Sequence, residues 1–251
     1  MKNRKILIIG TDGEVGSYIF NKFKESSFGI YGTSRRNQNS SLIKFDLLDK
    51  VLPFDLSQYD VCIICAGINN IDICEKKSDL AYSVNVLSTI RLIEECKKKN
   101  IFLIYFSSVS IFDGKNSFYD VEDNPSPFTK YGLYKLEVEK FIQKEYSNMS
   151  AILRLTKVIS ENTPIIKKWL LDYKSKRSII AYRDKYISPI SLSDIFIGLN
   201  IIIKRKYCGI YHLGGSKELS FYEFALKYFK ENNLSTNLIK PIIFNNSKKV
   251  Y

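Results

Sequence analysis

The chain has 251 residues, 45% of them hydrophobic and 25% charged, with a formal net charge of +12; that is enough apolar surface for one large domain with a buried core, and too much for a disordered chain. The surplus of Lys and Arg is scattered in short groups, at Lys97 to Lys99, Lys167 and Lys168, Lys174 to Arg177, and Lys204 to Lys206. It forms no single basic stripe, so a nucleic-acid partner is not expected, and the excess charge suits small phosphate-bearing ligands.

At the N-terminus, charged residues followed by Ile6 to Ile9 imitate a signal peptide, but Gly10, Asp12 and Glu14 cut the apolar run too short for one. No run is long enough to span a membrane. Five cysteines are an odd number, and no second pair stands at zinc-ligand spacing; Cys62 and Cys65 read as small residues of a buried strand. The expectation is a reducing, cytoplasmic setting, no metal and no membrane contact.

Lys5 to Ile9 is a short continuous apolar run, as a parallel strand buried on both faces requires. It leads into Gly10, Gly13 and Gly16, after which Val15, Ile19, Phe20 and Phe23 recur at helical spacing. Strand, glycine loop and helix in that order make a phosphate site: Gly10 permits the turn, Gly13 lets backbone approach a pyrophosphate, and Gly16 lets the helix pack closely. Asp12 has to point away from such a loop. A second strand, Gly29 to Thr33, ends in Ser34, Arg35 and Arg36, where a dinucleotide fold places the adenosine ribose. Arginine there accommodates a 2′-phosphate, which favours NADP(H), with NAD(H) the alternative. Asp46 follows as a candidate for the adenine edge.

Asp60 to Gly67, Ile101 to Ser107 and Ala151 to Leu155 read as the third, fourth and fifth strands, with helical patterns at Leu80 to Lys98 and Leu133 to Tyr146 between them. Alternating strands and helices imply an α/β fold, a Rossmann-type doubly wound parallel sheet whose ligand lies beyond the carboxyl ends of the strands. Residues 1–160 are expected to form this cofactor domain and residues 161–251 a small C-terminal substrate-binding lobe, with segments near 187–214 returning to the sheet. In that lobe, Ile165 to Tyr173 and Phe221 to Lys230 read as helices and Ile179 to Tyr182 as a strand. Trp169 and the single histidine, His212, are expected to pack rather than to react.

On the run that starts at Lys130, Tyr131 and Lys135 are four residues apart and share one helix face, which sets an ammonium beside a phenol. A nearby cation favours phenolate, so this tyrosine is expected to exchange a proton below its free pKa of about 10. Together with Gly10, Gly13 and Gly16, and with Ser107 and Ser108 closing a strand, the pair resembles the extended short-chain dehydrogenase/reductase family. Within it, the chain is most similar to the dTDP-4-dehydrorhamnose reductase group. Ile71 to Glu75, Val84 to Val86, Phe106 to Gly114, Tyr119 with Asp123, Gly209 to Gly214 and Phe221 to Ala225 carry the narrower likeness. Val109, Cys65, Lys157 and a short segment after Ala225 depart from the group's usual pattern.

The resemblance implies an NADPH-dependent reductase of a nucleotide-activated keto-deoxysugar, serving surface polysaccharide precursors. Ser108 would bind the substrate carbonyl, Tyr131 would act as general acid, and Lys135 would tune the tyrosine and reach the nicotinamide ribose. The implied cofactor contacts are Gly10, Asp12, Gly13, Glu14, Val15, Gly16, Ser34, Arg35, Arg36, Asp46, Leu47, Ala66, Gly67, Asn85 and Ser107, with Tyr131 and Lys135 shared. A homodimer is a family expectation. The alternatives are a nucleotide-sugar epimerase or dehydratase on the same fold, and a non-catalytic NADP-binding regulatory subunit.

Overall fold

The computed structural model describes residues 4–36 and 42–244. The chain divides into two compact units: one runs through Leu155 and takes in Ser193–Leu213, and the other holds Thr156–Leu192 and the residues from Gly214 onward. In the first unit the elements in order are β1 (Lys5–Ile9), α1 (Glu14–Lys24), β2 (Gly29–Ser34), β3 (Leu42–Lys44), β4 (Val61–Ile64), α2 (Ile71–Lys76), α3 (Ser78–Tyr82), α4 (Thr89–Lys98), β5 (Phe102–Ser108), α5 (Lys130–Glu145) and β6 (Ser150–Leu155). The Leu192–Arg205 helix and the Gly209–Leu213 strand complete it.

Seven strands form one sheet in the order Gly209–Leu213, β6, β5, β4, β1, β2, β3, and every neighbouring pair is parallel. The chain starts in the middle of the sheet and reverses direction beside β1, which opens a crevice at the carboxyl ends of β1 and β4. Ile6 to Ile9, Val61 to Ile64 and Phe102 to Tyr105 are each at most 1% exposed, because helices cover both faces. Each such side chain contributes about 1.5–3 kcal/mol relative to exposure. β3 is only three residues long, and so short an edge strand leaves no apolar run to read in advance.

The stretch expected as one helix from Leu80 to Lys98 is broken. α3 passes into a π-helical segment, Ser83–Ser88, before α4. Thr89 Oγ1 donates to the carbonyl of Val84, five residues back, at 3.1 Å, which suits the wider turn. The bulge presents Asn85 to the loop after β4. α5 starts cleanly because Thr129 accepts from the Gly132 N–H at 3.1 Å and Glu75 accepts from the Lys130 N–H at 2.9 Å, so two of the helix's orphan donors are satisfied.

The second unit has its own core of Ile166, Trp169, Ile179, Ala181, Phe224, Ala225, Phe229 and Ile239. Its Pro164–Lys174 helix carries proline at the first turn, and its Phe221–Glu231 helix opens with a capping box of Ser220 and Glu223. Three two-stranded pairings join Lys157–Ile159 to Pro189–Ser191, Tyr186–Ile187 to Leu219–Ser220, and Ile179–Tyr182 to Ile239–Ile242. Trp169 is 1% exposed against Phe224 and donates to Ile180 O at 3.3 Å. Among the described residues no helix is long and apolar enough to cross a membrane.

Candidate active site

The loop from Gly10 to Gly16 is glycine-dependent for steric reasons. Gly10 has φ +97°, and a Cβ there would lie 2.7 Å from the Ala66 backbone; at Gly16 a Cβ would lie 2.3 Å from Gly10 O. Either side chain would separate β1 from β4 or α1 from its loop. Thr33, which the sequence did not single out, fastens the turn: its Oγ1 accepts from Gly10 N at 3.1 Å, and its carbonyl accepts from Thr11 N and Thr11 Oγ1, both at 2.9 Å.

Beside this loop lies a cavity of about 230 Å³ lined by Gly10, Asp12, Gly13, Arg35, Arg36, Asp46, Leu47, Ala66 and Gly67, with Ile9, Thr33, Phe45, Leu48, Cys65, Ile68, Leu80 and Val84. Two arginines, bare glycine backbone and the apolar side chains of Phe45, Leu47 and Leu48 fit the adenosine and phosphates of a dinucleotide. Further along, Ser107 Oγ is buried with no hydrogen-bond partner among the described residues, a polar atom that a ligand can satisfy.

Four expected contacts have other roles or lie outside the cavity lining. Asp12 is turned to the end of β2, where it accepts from Ser34 Oγ and from Arg35 N, both at 2.6 Å; it ties the glycine loop to the arginine strand, and its carboxylate is occupied. Asn85 is 4% exposed and clamps Ile68, accepting from its N–H at 2.7 Å and donating to its carbonyl at 2.9 Å. It holds the Ala66 to Ile68 turn from behind and does not line the cavity. Glu14 and Val15 open α1 and do not line it either. Arg35 is exposed, with its guanidinium 3.9 Å from Asp46.

Ser108, Tyr131 and Lys135 are brought together. Ser108 ends β5 and caps the short turn Val109–Ile111, accepting from the Ser110 N–H at 3.1 Å, and its side chain acts on the Tyr131 phenol. Lys135 is one turn after Tyr131 on α5, 9% exposed, with Nζ donating to Phe106 O at 2.7 Å and lying 4.6 Å from the Tyr105 ring centroid and 5.9 Å from that of Tyr131. The phenol is shifted in the direction opposite to the expected cation effect. Loss of solvent pushes the Tyr131 hydroxyl up to about 12, against the lowering by Ser108, and burial brings the Lys135 ammonium down to about 8, against the raising by Glu139. Both groups are desolvated together, so at neutral pH Tyr131 is a protonated donor.

Gly132 makes this juxtaposition possible. A Cβ on it would sit 2.1 Å from Ser110 O and 3.0 Å from the Ser110 carbonyl carbon, so only glycine lets α5 close on the serine turn. Gly132→Ala is expected to cost about 1–3 kcal/mol in a denaturant melt, the usual range for overpacking, and to loosen the contact of Ser108 with Tyr131.

Behind the site lies a buried charged cluster that sequence reading missed. Glu139, a turn beyond Lys135, is 0% exposed and pairs with Arg154 of β6, whose Nη2 lies 2.9 Å from Oε2. Arg154 Nη1 also donates to Val121 O at 3.1 Å and to His212 Nε2 at 3.2 Å. Since Arg154 is donor only, His212 Nε2 accepts, Nδ1 carries the proton, and it donates to Tyr119 O at 3.1 Å. An arginine inside an otherwise apolar strand, Ala151 to Leu155, was the available signal.

Comparison with known proteins gives a consistent result. The family model described as RmlD substrate binding domain matches residues 4–249. The chain is 26% identical over 254 residues to methionine adenosyltransferase 2 subunit beta of Rattus norvegicus, covering 96% of this chain and 75% of that protein. It is 24% identical over 237 residues to spore coat polysaccharide biosynthesis protein SpsK of Bacillus subtilis (strain 168), covering 94% and 82%. Among solved structures, dTDP-4-dehydrorhamnose reductase (rfbD) from Bacillus anthracis str. Ames in complex with NADP superposes with a TM-score of 0.85 at 23% identity, covering 97% of this chain and 86% of that one. At that identity the likeness establishes the fold.

Proposed function

From its place in the RmlD substrate binding domain family, to which the chain belongs, we propose that it is an NADPH-dependent reductase of a nucleotide-activated keto sugar, acting in the supply of polysaccharide precursors. The observation that carries this reading is the gathering of Ser108, which lowers the Tyr131 phenol, with Tyr131 and with Lys135 one turn on, beside a glycine-lined groove. NADPH, when bound, supplies hydride to the carbonyl carbon. Ser108 donates to the carbonyl oxygen and fixes its position. Tyr131 delivers its proton to that oxygen as negative charge develops there, and its burial keeps the proton on the phenol until then. Lys135 would reach the nicotinamide ribose, and it holds the α5 face against β5 through Phe106 O. Arg35 and Arg36 receive the adenosine 2′-phosphate.

The test is NADPH oxidation with a panel of nucleotide-linked 4-keto sugars, with cofactor affinity measured by NADPH fluorescence. Arg35→Ala with Arg36→Ala is expected to weaken NADPH about tenfold or more while NADH changes little, because charge-assisted hydrogen bonds to the 2′-phosphate are lost. Equal effects on both cofactors would remove the argument for NADP(H).

A second reading is favoured by the relatives named as a methionine adenosyltransferase subunit beta: a cofactor-binding subunit of another enzyme. It predicts NADP(H) binding with no oxidation on any nucleotide sugar. An epimerase on this fold would instead retain its cofactor and show no net consumption.

A further inference from the structure

We infer that the cavity between residues 50–56 and α4 is a second ligand site, which takes a small organic phosphate and passes its occupancy to the NADP(H) groove through Arg91. The cavity has a volume of about 330 Å³. It shares no lining residue with the groove beside the glycine loop.

Its floor is apolar: Leu56 and Leu92 are 3% and 1% exposed, and Phe54 stands half-buried beside them. The charged side chains around that floor are unequally engaged. Asp55 already accepts from Ser57 N at 2.9 Å and from Ser57 Oγ at 2.6 Å, and Glu95 is paired with Lys98 at 2.6 Å. The side chains of Lys50 and Lys99 make no hydrogen bond or ion pair among the described residues, although Lys99 acts on Asp55 through space. Arg91 uses one nitrogen: Nη2 donates to Leu47 O at 2.8 Å and to Asp49 O. A guanidinium has five N–H donors, so the three on Nε and Nη1 are left for a ligand. Unspent cations over an apolar floor select an anion with an apolar body, and three of them suit the double charge of a phosphate monoester better than a single carboxylate.

Two contacts join this cavity to the cofactor groove. Leu47, whose carbonyl Arg91 holds, lines the groove, and so does Phe45, whose ring meets that of Phe54 edge-on at 5.3 Å. Between them the chain is a tight turn, in which Asp46 N donates to Asp49 Oδ2 at 2.8 Å and Leu48 N donates to Asp46 Oδ1 at 3.0 Å. An anion on the remaining donors of Arg91 fixes the guanidinium, and with it Leu47 O and Asp49 O. The apolar side of the groove is then ordered before NADPH arrives, so less ordering is left for NADPH to impose. Such coupling is reciprocal, and each ligand tightens the other by the same factor. The coupling rests on NADP(H) occupying the groove; the site itself does not.

The test titrates phenyl phosphate into the full chain at fixed ionic strength, followed by NMR of the probe, with inorganic phosphate and phenol for comparison. Phenyl phosphate is expected to bind saturably and about fivefold tighter than inorganic phosphate, because its ring covers the floor. Lys50→Ala with Lys99→Ala is expected to weaken it about tenfold, whereas Arg35→Ala with Arg36→Ala leaves it unchanged. NADPH, read by its fluorescence, is expected to bind about fivefold tighter at saturating phenyl phosphate. Arg91→Lys keeps the charge but has one nitrogen to divide among two carbonyls and the phosphate, so the probe still binds and the coupling is lost. Absence of saturable binding overturns the site, and so does equal binding of inorganic phosphate or of phenol. Binding lost with the two arginines of the groove and kept without the two lysines overturns it as well. Unchanged NADPH affinity at saturating probe overturns the coupling, and coupling that survives in Arg91→Lys overturns its route. A chain that binds no NADPH would overturn both the coupling and the reductase reading, while the lysine comparison still decides the site.

Discussion

Tyr131→Phe is expected to reduce kcat for carbonyl reduction by roughly a thousandfold while leaving NADPH affinity nearly unchanged, since a positioned general acid contributes about 10²–10⁴. The phenyl ring keeps the packing of α5 on β5 and removes only the hydroxyl. Because burial holds the phenol up at about 12, the acid form is present throughout the accessible pH range, and Tyr131 does not set the alkaline limb of the wild-type profile. Lys135, brought down to about 8 by burial, does. Activity is therefore expected to fall as pH rises through about 8, as the ammonium near the tyrosine is lost. Full activity of Tyr131→Phe on a true substrate would exclude the acid role, and a flat profile through this range would exclude the lysine role.

Arg154→Met is expected to destabilise the first unit by about 3–5 kcal/mol in denaturant unfolding, the usual cost of leaving a buried carboxylate without its partner. Glu139 is 0% exposed and Arg154 2% exposed, so water cannot replace the lost guanidinium. The double variant Glu139→Met with Arg154→Met is expected to be much less destabilised than Arg154→Met alone, because removing both charges also removes their desolvation cost. A single variant within about 0.5 kcal/mol of wild type, the range of an ordinary surface substitution, would refute the buried pairing. The cluster also predicts acid sensitivity. Burial and the neighbouring Arg154 hold His212 below its ordinary value of 6.5. With the folded-state value depressed, the unfolded chain takes up a proton first as pH falls below about 6.5, so this contribution to stability is present above that pH and lost below it.

How much of this was legible in advance differs by element. β1, β4 and β5 are continuous apolar runs ended by Gly10, Ala66 and Ser107, and a strand buried on both faces has little choice but to look like that. The unequal strands are harder. β3 has three residues, too few for a pattern, and the Ser83–Ser88 bulge depends on Thr89 reaching back to Val84 and on Asn85 reaching Ile68, contacts that no periodicity announces. Asp12 looked like an awkward member of a phosphate loop. It proved to be a strut to Ser34 and Arg35, because a carboxylate facing a pyrophosphate would be repelled whereas backbone and hydroxyl donors at the end of β2 attract it.

By itself the sequence determined the strand and helix alternation, the glycine loop that only small residues can form, the arginines after β2, and the four-residue spacing that puts Tyr131 and Lys135 on one helix face. These are local properties, set by neighbours in the chain. Only the tertiary structure decided how those groups behave. Burial of α5 against β5 moves Tyr131 up and Lys135 down, reversing the expectation from their proximity alone, because desolvation depends on what covers a group rather than on what lies four residues away. The close approach of Gly132 to the Ser110 carbonyl and the Glu139 to Arg154 pair arise in the same way, from segments that meet only once the parallel sheet has formed.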